Sequence, residues 1–166
     1  MKIRFLSGVL LFLVFSVTTD AKVRFASVFS DHMVLQRNSS VAVWGWANPG
    51  DNVRLVGSWL PSDTIVVEVK NDSYWFAEIQ TGEAGGPYTL KAWDNEETVL
   101  NDVLLGEVWL CSGQSNMEWS VNAGILDGEA EAEKANVPNI RFYHVPKIGS
   151  DTPQENIMAS WEVCTP

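Results

Sequence analysis

Ser115 is the residue on which a chemical reading of this chain turns. It stands in the turn Ser112-Gly113-Gln114-Ser115-Asn116, directly behind the apolar run Val108-Trp109-Leu110-Cys111. Small polar residues suit a tight turn, and the apolar run reads as a short strand buried on both faces. A hydroxyl just beyond the end of such a strand lies at the mouth of a sheet, where α/β folds place their chemistry. Serine is a weak nucleophile on its own. It needs a base within hydrogen-bond reach, usually a histidine that a third group orients.

The chain offers two histidines for that role, His32 and His144. His32 follows Asp31, but adjacent residues of an extended chain point to opposite faces and seldom orient one another, so a structural role is expected. His144 stands between Tyr143 and Val145 in an alternating stretch and reads as a packed or surface side chain. The two cysteines, Cys111 and Cys164, lack the clustered Cys/His spacing of a zinc site. Cys111 is expected to be free and buried in its strand, where a small thiol packs well. Glu129, Glu131 and Glu133 form an acidic cluster that reads as the solvated face of a helix. No metal and no cofactor are implied.

The elements around Ser115 follow from pattern. Asn101 to Gly106 leads into the Val108–Cys111 strand. Residues 127–136 read as a short helix with Asp127 as cap, acidic residues early, and Lys134 three residues after Glu131. Val137-Pro138 ends it, and 139–145 alternates as a second strand. Strand, turn, helix, strand is the opening of a doubly wound α/β layer with parallel strands. About 63 residues follow Val103, against the roughly 100–200 that a domain takes, so this part is expected to be the truncated beginning of one.

Residues 22–103 read differently. Asn48-Pro49-Gly50, Pro61-Ser62-Asp63, Asn71-Asp72-Ser73, Gly85-Gly86-Pro87 and Asp94-Asn95 punctuate the chain at intervals of about 7 to 12 residues, the spacing of an antiparallel sandwich. Between them, Ile65, Val67 and Val69 fall on one face with Glu68 and Lys70 on the other; Trp75, Ala77 and Ile79 repeat this against Glu78 and Gln80, and Tyr88 and Leu90 against Thr89 and Lys91, as a sheet with one wet face requires. Trp44, Trp46, Trp59, Trp75 and Trp93 are expected to serve packing ahead of sugar stacking.

Charge and address narrow the class. The 166-residue chain carries a formal net charge of −10, and phosphate-backbone binding needs clustered Lys and Arg; nucleic acid is not an expected partner. Residues 1–21 read as a cleaved export signal: Lys2 and Arg4, an apolar core from Phe5 to Val17, and the small-x-small end Thr19-Asp20-Ala21. The apolar core is shorter than the roughly 20 residues of a span, so no stable membrane anchor is expected after cleavage. The expected location is periplasmic or extracellular, or lysosomal and secretory in a eukaryotic cell. The sequons at Asn38 and Asn71 matter only on the latter route.

Gly113-Gln114-Ser115-Asn116-Met117, preceded by Val108-Trp109-Leu110-Cys111-Ser112, resembles the nucleophile block of the sialate O-acetylesterase family, a branch of the SGNH-type hydrolases. Asp31-His32-Met33-Val34-Leu35-Gln36-Arg37, Val43-Trp44-Gly45-Trp46-Ala47 and Gly85-Gly86-Pro87-Tyr88-Thr89-Leu90 resemble its N-terminal sandwich, and Pro138-Asn139-Ile140-Arg141 continues the match. Met117 replaces the second glycine of Gly-x-Ser-x-Gly, so an α/β-hydrolase elbow fits poorly. The resemblance implies a jelly-roll-like all-β sandwich over 22–103 and, over 104–166, the start of an α/β, flavodoxin-like SGNH hydrolase domain. It implies a serine-dependent carboxylic ester hydrolase acting on O-acetylated sugars or glycans, with Ser115 as nucleophile and its backbone N–H as an oxyanion donor. An Asp-x-x-His block and later Gly and Asn residues would complete the site. Those blocks do not occur among these residues, so the chain is expected to be inactive by itself. The competing expectation is a non-catalytic sandwich module for carbohydrate binding or interaction, with a decayed hydrolase remnant.

Overall fold

The computed structural model describes residues 22–166; the expected export signal over 1–21 lies outside them. Two sheets face each other across one apolar core. The first has three antiparallel strands in the order β1 (Arg24–Phe25), β3 (Ser40–Trp46), β6 (Tyr74–Gln80). The second has five, in the order β2 (Val34–Gln36), β8 (Glu97–Gly106), β7 (Gly85–Trp93), β4 (Asn52–Gly57), β5 (Ile65–Glu68). Its pairs are antiparallel except β2 with β8, which run parallel.

The period-two pattern places the core. Trp75, Ala77 and Ile79 of β6 are buried while Phe76, Glu78 and Gln80 face out. Val43 of β3 meets them from the same sheet, and Val53, Leu55, Leu90, Ala92, Val103 and Leu105 come from the other. Trp75 is 1% exposed and its ring meets Phe25 edge-on at 5.5 Å. The packing role expected of the tryptophans holds for it. Trp44 packs on Phe29 and Trp46 on Tyr74, so those two tryptophans serve separate contacts. Gly45 lies where a Cβ would collide with the Arg24 carbonyl and the Trp75 ring, which is what lets the short β1 approach β3.

The pairing of β7 with β8 is irregular at two points, the first between Gly85–Leu105 and Tyr88–Val103, where β7 advances three residues and β8 two. Between the pairs Tyr88–Val103 and Leu90–Leu100, β7 advances two residues and β8 three. The extra residue makes a β-bulge, a device that re-aims a side chain off the regular pleat. Asp102 sits in it with φ at +53°, a left-handed conformation unusual for a non-glycine residue.

Beyond β8 the expected elements are only partly present. Val108–Cys111 forms no strand, and Trp109 and Leu110 are 82% and 92% exposed. An apolar run becomes a two-faced buried strand only when neighbours pair with both its edges and layers cover both its faces; no described strand pairs with it. The expected helix is confined to α1, Gly128–Ala132, and Asp127 precedes it without a side-chain capping bond. The Lys134–Glu131 pair forms at 3.0 Å. The second expected strand is β9, Val137–Tyr143, but it pairs antiparallel with β10, Trp161–Cys164. No parallel α/β layer forms among the described residues.

Candidate active site

The chain enters the Ser115 region from a well-tied point. Glu107 accepts from Arg37 Nε at 2.7 Å and from Gln36 Nε2 at 3.0 Å. The Val108 N–H donates to Gln36 Oε1 at 2.9 Å. These bonds fasten the end of β8 to the end of β2, where the Arg37 N–H donates to the Gly106 carbonyl. Hydrogen bonds from Gln36 and Arg37 hold the Glu107 carboxyl below its usual range.

Ser115 opens a single 3₁₀ turn, Ser115–Glu118, rather than following a strand end. The Met117 N–H donates to the Gln114 carbonyl at 2.9 Å, and the Trp119 N–H to the Asn116 carbonyl at 3.3 Å. Glu118 pairs with Lys147 Nζ at 2.6 Å, which lowers the Glu118 carboxyl from its ordinary value. Ser115 is exposed, and no described residue hydrogen-bonds its hydroxyl. The nucleophile expected from the sequence is therefore presented to solvent with no base among the described residues. His144 is exposed just past the end of β9 and is not joined to Ser115. Cys111, expected in a buried strand, is exposed because that strand is absent; both cysteines are free.

His32 has an acidic partner, but it is not its neighbour Asp31. His32 Nδ1 lies 2.6 Å from Asp102 Oδ2. Asp102 also takes both prongs of Arg141, Nη1 at 2.6 Å and Nη2 at 3.2 Å. Arg141 Nε donates to the Pro138 carbonyl at 2.7 Å. Hydrogen bonds from Arg141 first and His32 second pull the Asp102 carboxyl down to about 2 from 3.8. Asp31 instead accepts the Asn101 N–H at 2.7 Å, and the His32 N–H donates to the Asn101 carbonyl at 3.1 Å. The Asp31-His32 turn thus buttresses the bulge that carries Asp102. The structural role expected for His32 is what this geometry serves, and its carboxylate lies 70 residues away in sequence. The sequence of β8 carries no signal for the bulge, since its apolar residues Val99, Leu100, Val103, Leu104 and Leu105 fall on both odd and even positions.

A depression of about 460 Å³ lies beside this cluster, lined by Phe29, Asp31, His32, Leu100 and Trp161 among others; Ser115 is not part of it. No group of three or more His, Cys, Asp or Glu side chains among the described residues could hold a metal.

Comparison with known proteins shows what the chain is similar to. No family model matches the chain. It is 34% identical over 156 residues to the mouse protein named sialate O-acetylesterase, a match covering 87% of this chain and 29% of that protein. The human sialate O-acetylesterase is 33% identical over 147 residues, covering 82% of this chain and 28% of its own length. This chain is homologous to the sialate O-acetylesterases. A crystal structure of a carbohydrate acetylesterase from Xanthomonas citri superposes on this sialate O-acetylesterase homologue with a TM-score of 0.79 at 31% identity, over 86% of this chain and 33% of that one. The homologue thus spans under a third of the length of these two curated relatives. The mostly β architecture is the part of the expected fold that the likeness carries.

Proposed function

We propose that this chain supplies the nucleophile and its supporting sandwich to an exported, serine-dependent carbohydrate O-acetylesterase that removes acetyl groups from sugars, with sialic acids the first substrate class to test. The observation that carries the reading is the exposed, unpartnered hydroxyl of Ser115, set in Gly113-Gln114-Ser115-Asn116-Met117 within a chain homologous to acetylesterases.

In the proposed reaction a base takes the Ser115 hydroxyl proton as its oxygen attacks the acetyl carbonyl. The Ser115 N–H stabilises the developing oxyanion together with donors from elsewhere. The tetrahedral intermediate expels the sugar oxygen, which takes the proton, and water then releases acetate from the acyl-serine. No described residue stands where that base must be, so base, orienter and further oxyanion donors come from outside residues 22–166. Once sheet neighbours are present, Val108–Cys111 becomes an interior parallel strand of an SGNH-type α/β domain. Its present exposure is that of a run whose partners are not among the described residues. The unit then divides near Val103, sandwich before and hydrolase after.

A graft tests this. Residues 22–166 replace the aligned stretch of the mouse relative, and acetate release from O-acetylated sialic acid is measured. The expected result is an active graft whose turnover falls by at least about 10³ in Ser115→Ala, the scale on which a catalytic nucleophile is lost. A graft that retains its turnover with alanine at position 115 overturns the assignment. Export is checked separately by sequencing the N-terminus of secreted protein, which is expected to begin after Ala21.

A further inference from the structure

Asp102 and Arg141 bracket the segment that carries Ser115. Asp102 stands on β8 before that segment leaves the sandwich, and Arg141 stands on β9 after it returns. The two are 39 residues apart in sequence and joined by two hydrogen bonds. We propose that Asp102 and Arg141 are positioning residues: their ion pair pins β9 to the sandwich and so closes the base of the excursion bearing Ser115.

Four observations carry this. The Arg141 side chain is 5% exposed, unlike the other lysines and arginines found in ion pairs among the described residues, whose side chains are 37% exposed or more. Its three nitrogens are all engaged, Nη1 and Nη2 on Asp102 and Nε on the Pro138 carbonyl of its own strand, so the planar guanidinium fixes direction as well as distance. Asp102 owes its placement to a bulge with a left-handed backbone, a conformation that persists only when its surroundings hold it. Those surroundings are the Asp31-His32 turn, which bonds both the Asn101 N–H and carbonyl and adds His32 Nδ1 to the same carboxylate. His32 is itself left-handed, at φ +69°. Two unfavourable backbone conformations and a nearly buried arginine converge on one carboxylate.

A separate set of bonds holds the far part of the hairpin. Trp161 Nε1 donates to the Val28 carbonyl at 2.8 Å, Trp44 Nε1 to the Glu155 carbonyl at 3.0 Å, and the Ser27 N–H to Asn156 Oδ1 at 2.8 Å. Arg141 is the fifth of the seven residues of β9, and its Nε reaches back to the Pro138 carbonyl, so the pinning acts on β9 itself; its service to Ser115 rests on the esterase reading while the pinning itself does not.

Hydrogen exchange on the intact chain reads the pinning directly. Arg141→Ala is expected to speed exchange in residues 137–143 by about tenfold or more, with β3 and β6 unchanged, because only a local opening is made easier. Asp102→Asn should do the same, and the double variant should add little to either, as for two halves of one interaction. Arg141→Lys, which keeps the charge but not the fork, should restore exchange part of the way. Equal acceleration across the sandwich, or no acceleration in 137–143 in any variant, overturns the proposal. Should Arg141→Ala fail to fold, Arg141→Lys and Asp102→Asn decide by the same criterion. Loss of acetate release in the graft with exchange unchanged would count against the pinning and leave the Ser115 assignment standing.

Discussion

Arg141 holds Asp102 with two nitrogens, at 2.6 and 3.2 Å, from a side chain almost withdrawn from solvent. A carboxylate so held is stabilised in its charged form, which makes it a source of pH-dependent stability.

The Asp102 carboxyl falls to about 2 in the folded chain from 3.8. A depressed pKa means the folded state favours the deprotonated form. Its contribution is present above the ordinary carboxylate range and is lost as pH falls from about 3.8 towards 2. Asp102→Asn should therefore have a lower urea midpoint than the unaltered chain at about pH 6, and the difference should shrink as the pH approaches 2. Urea titrations at three pH values check this, and a gap that does not change with pH would contradict it.

Ser115 touches no hydrogen-bond partner among the described residues and is exposed. Ser115→Ala should shift stability by no more than about 0.5 kcal/mol, the range for surface changes that break nothing. In the 166-residue chain by itself, acetate release should be indistinguishable between the unaltered protein and Ser115→Ala, since no described residue stands as a base to Ser115; a clear difference would reveal one. Denaturant midpoints and an acetate assay on the same two preparations give both answers.

Cys111 is exposed and Cys164 is half-buried. Alkylation by iodoacetamide should modify Cys111 first, as mapped by peptide mass spectrometry. Once a sheet closes over Val108–Cys111, as proposed for the complete hydrolase, the order should reverse.

Trp75 anchors the sandwich, fully enclosed and edge-on to Phe25. Trp75→Ala should cost about 3–5 kcal/mol, the scale of an aromatic deleted from a packed core. Equilibrium unfolding measures it. Phe76→Ala, on the opposite, exposed face of the same strand, is the control and should cost far less.

The sandwich was legible because its information is local. Trp75, Ala77 and Ile79 fall on one face with Glu78 and Gln80 on the other, and a strand with one wet face imposes that period whatever its partners are. The turn around Ser115 was legible for a similar reason, since small polar residues favour a turn by their own chemistry. The length and hydropathy of Val108–Cys111 announced a strand, but strand formation there depends on edges and layers the described residues do not supply. The chain leaves the run in solvent and pairs β9 antiparallel with β10 instead of beside it.

The amino-acid sequence by itself determined the sandwich strands with one buried and one wet face, the Ser115 turn and the likeness to the acetylesterases, because each rests on residue types at short spacing. Tertiary structure alone decided that His32 meets Asp102 and that Arg141 joins them. These residues lie 70 and 39 positions from Asp102, and no propensity spans such distances. A one-residue bulge turns the carboxylate toward both, and only the register of β7 against β8 reveals it.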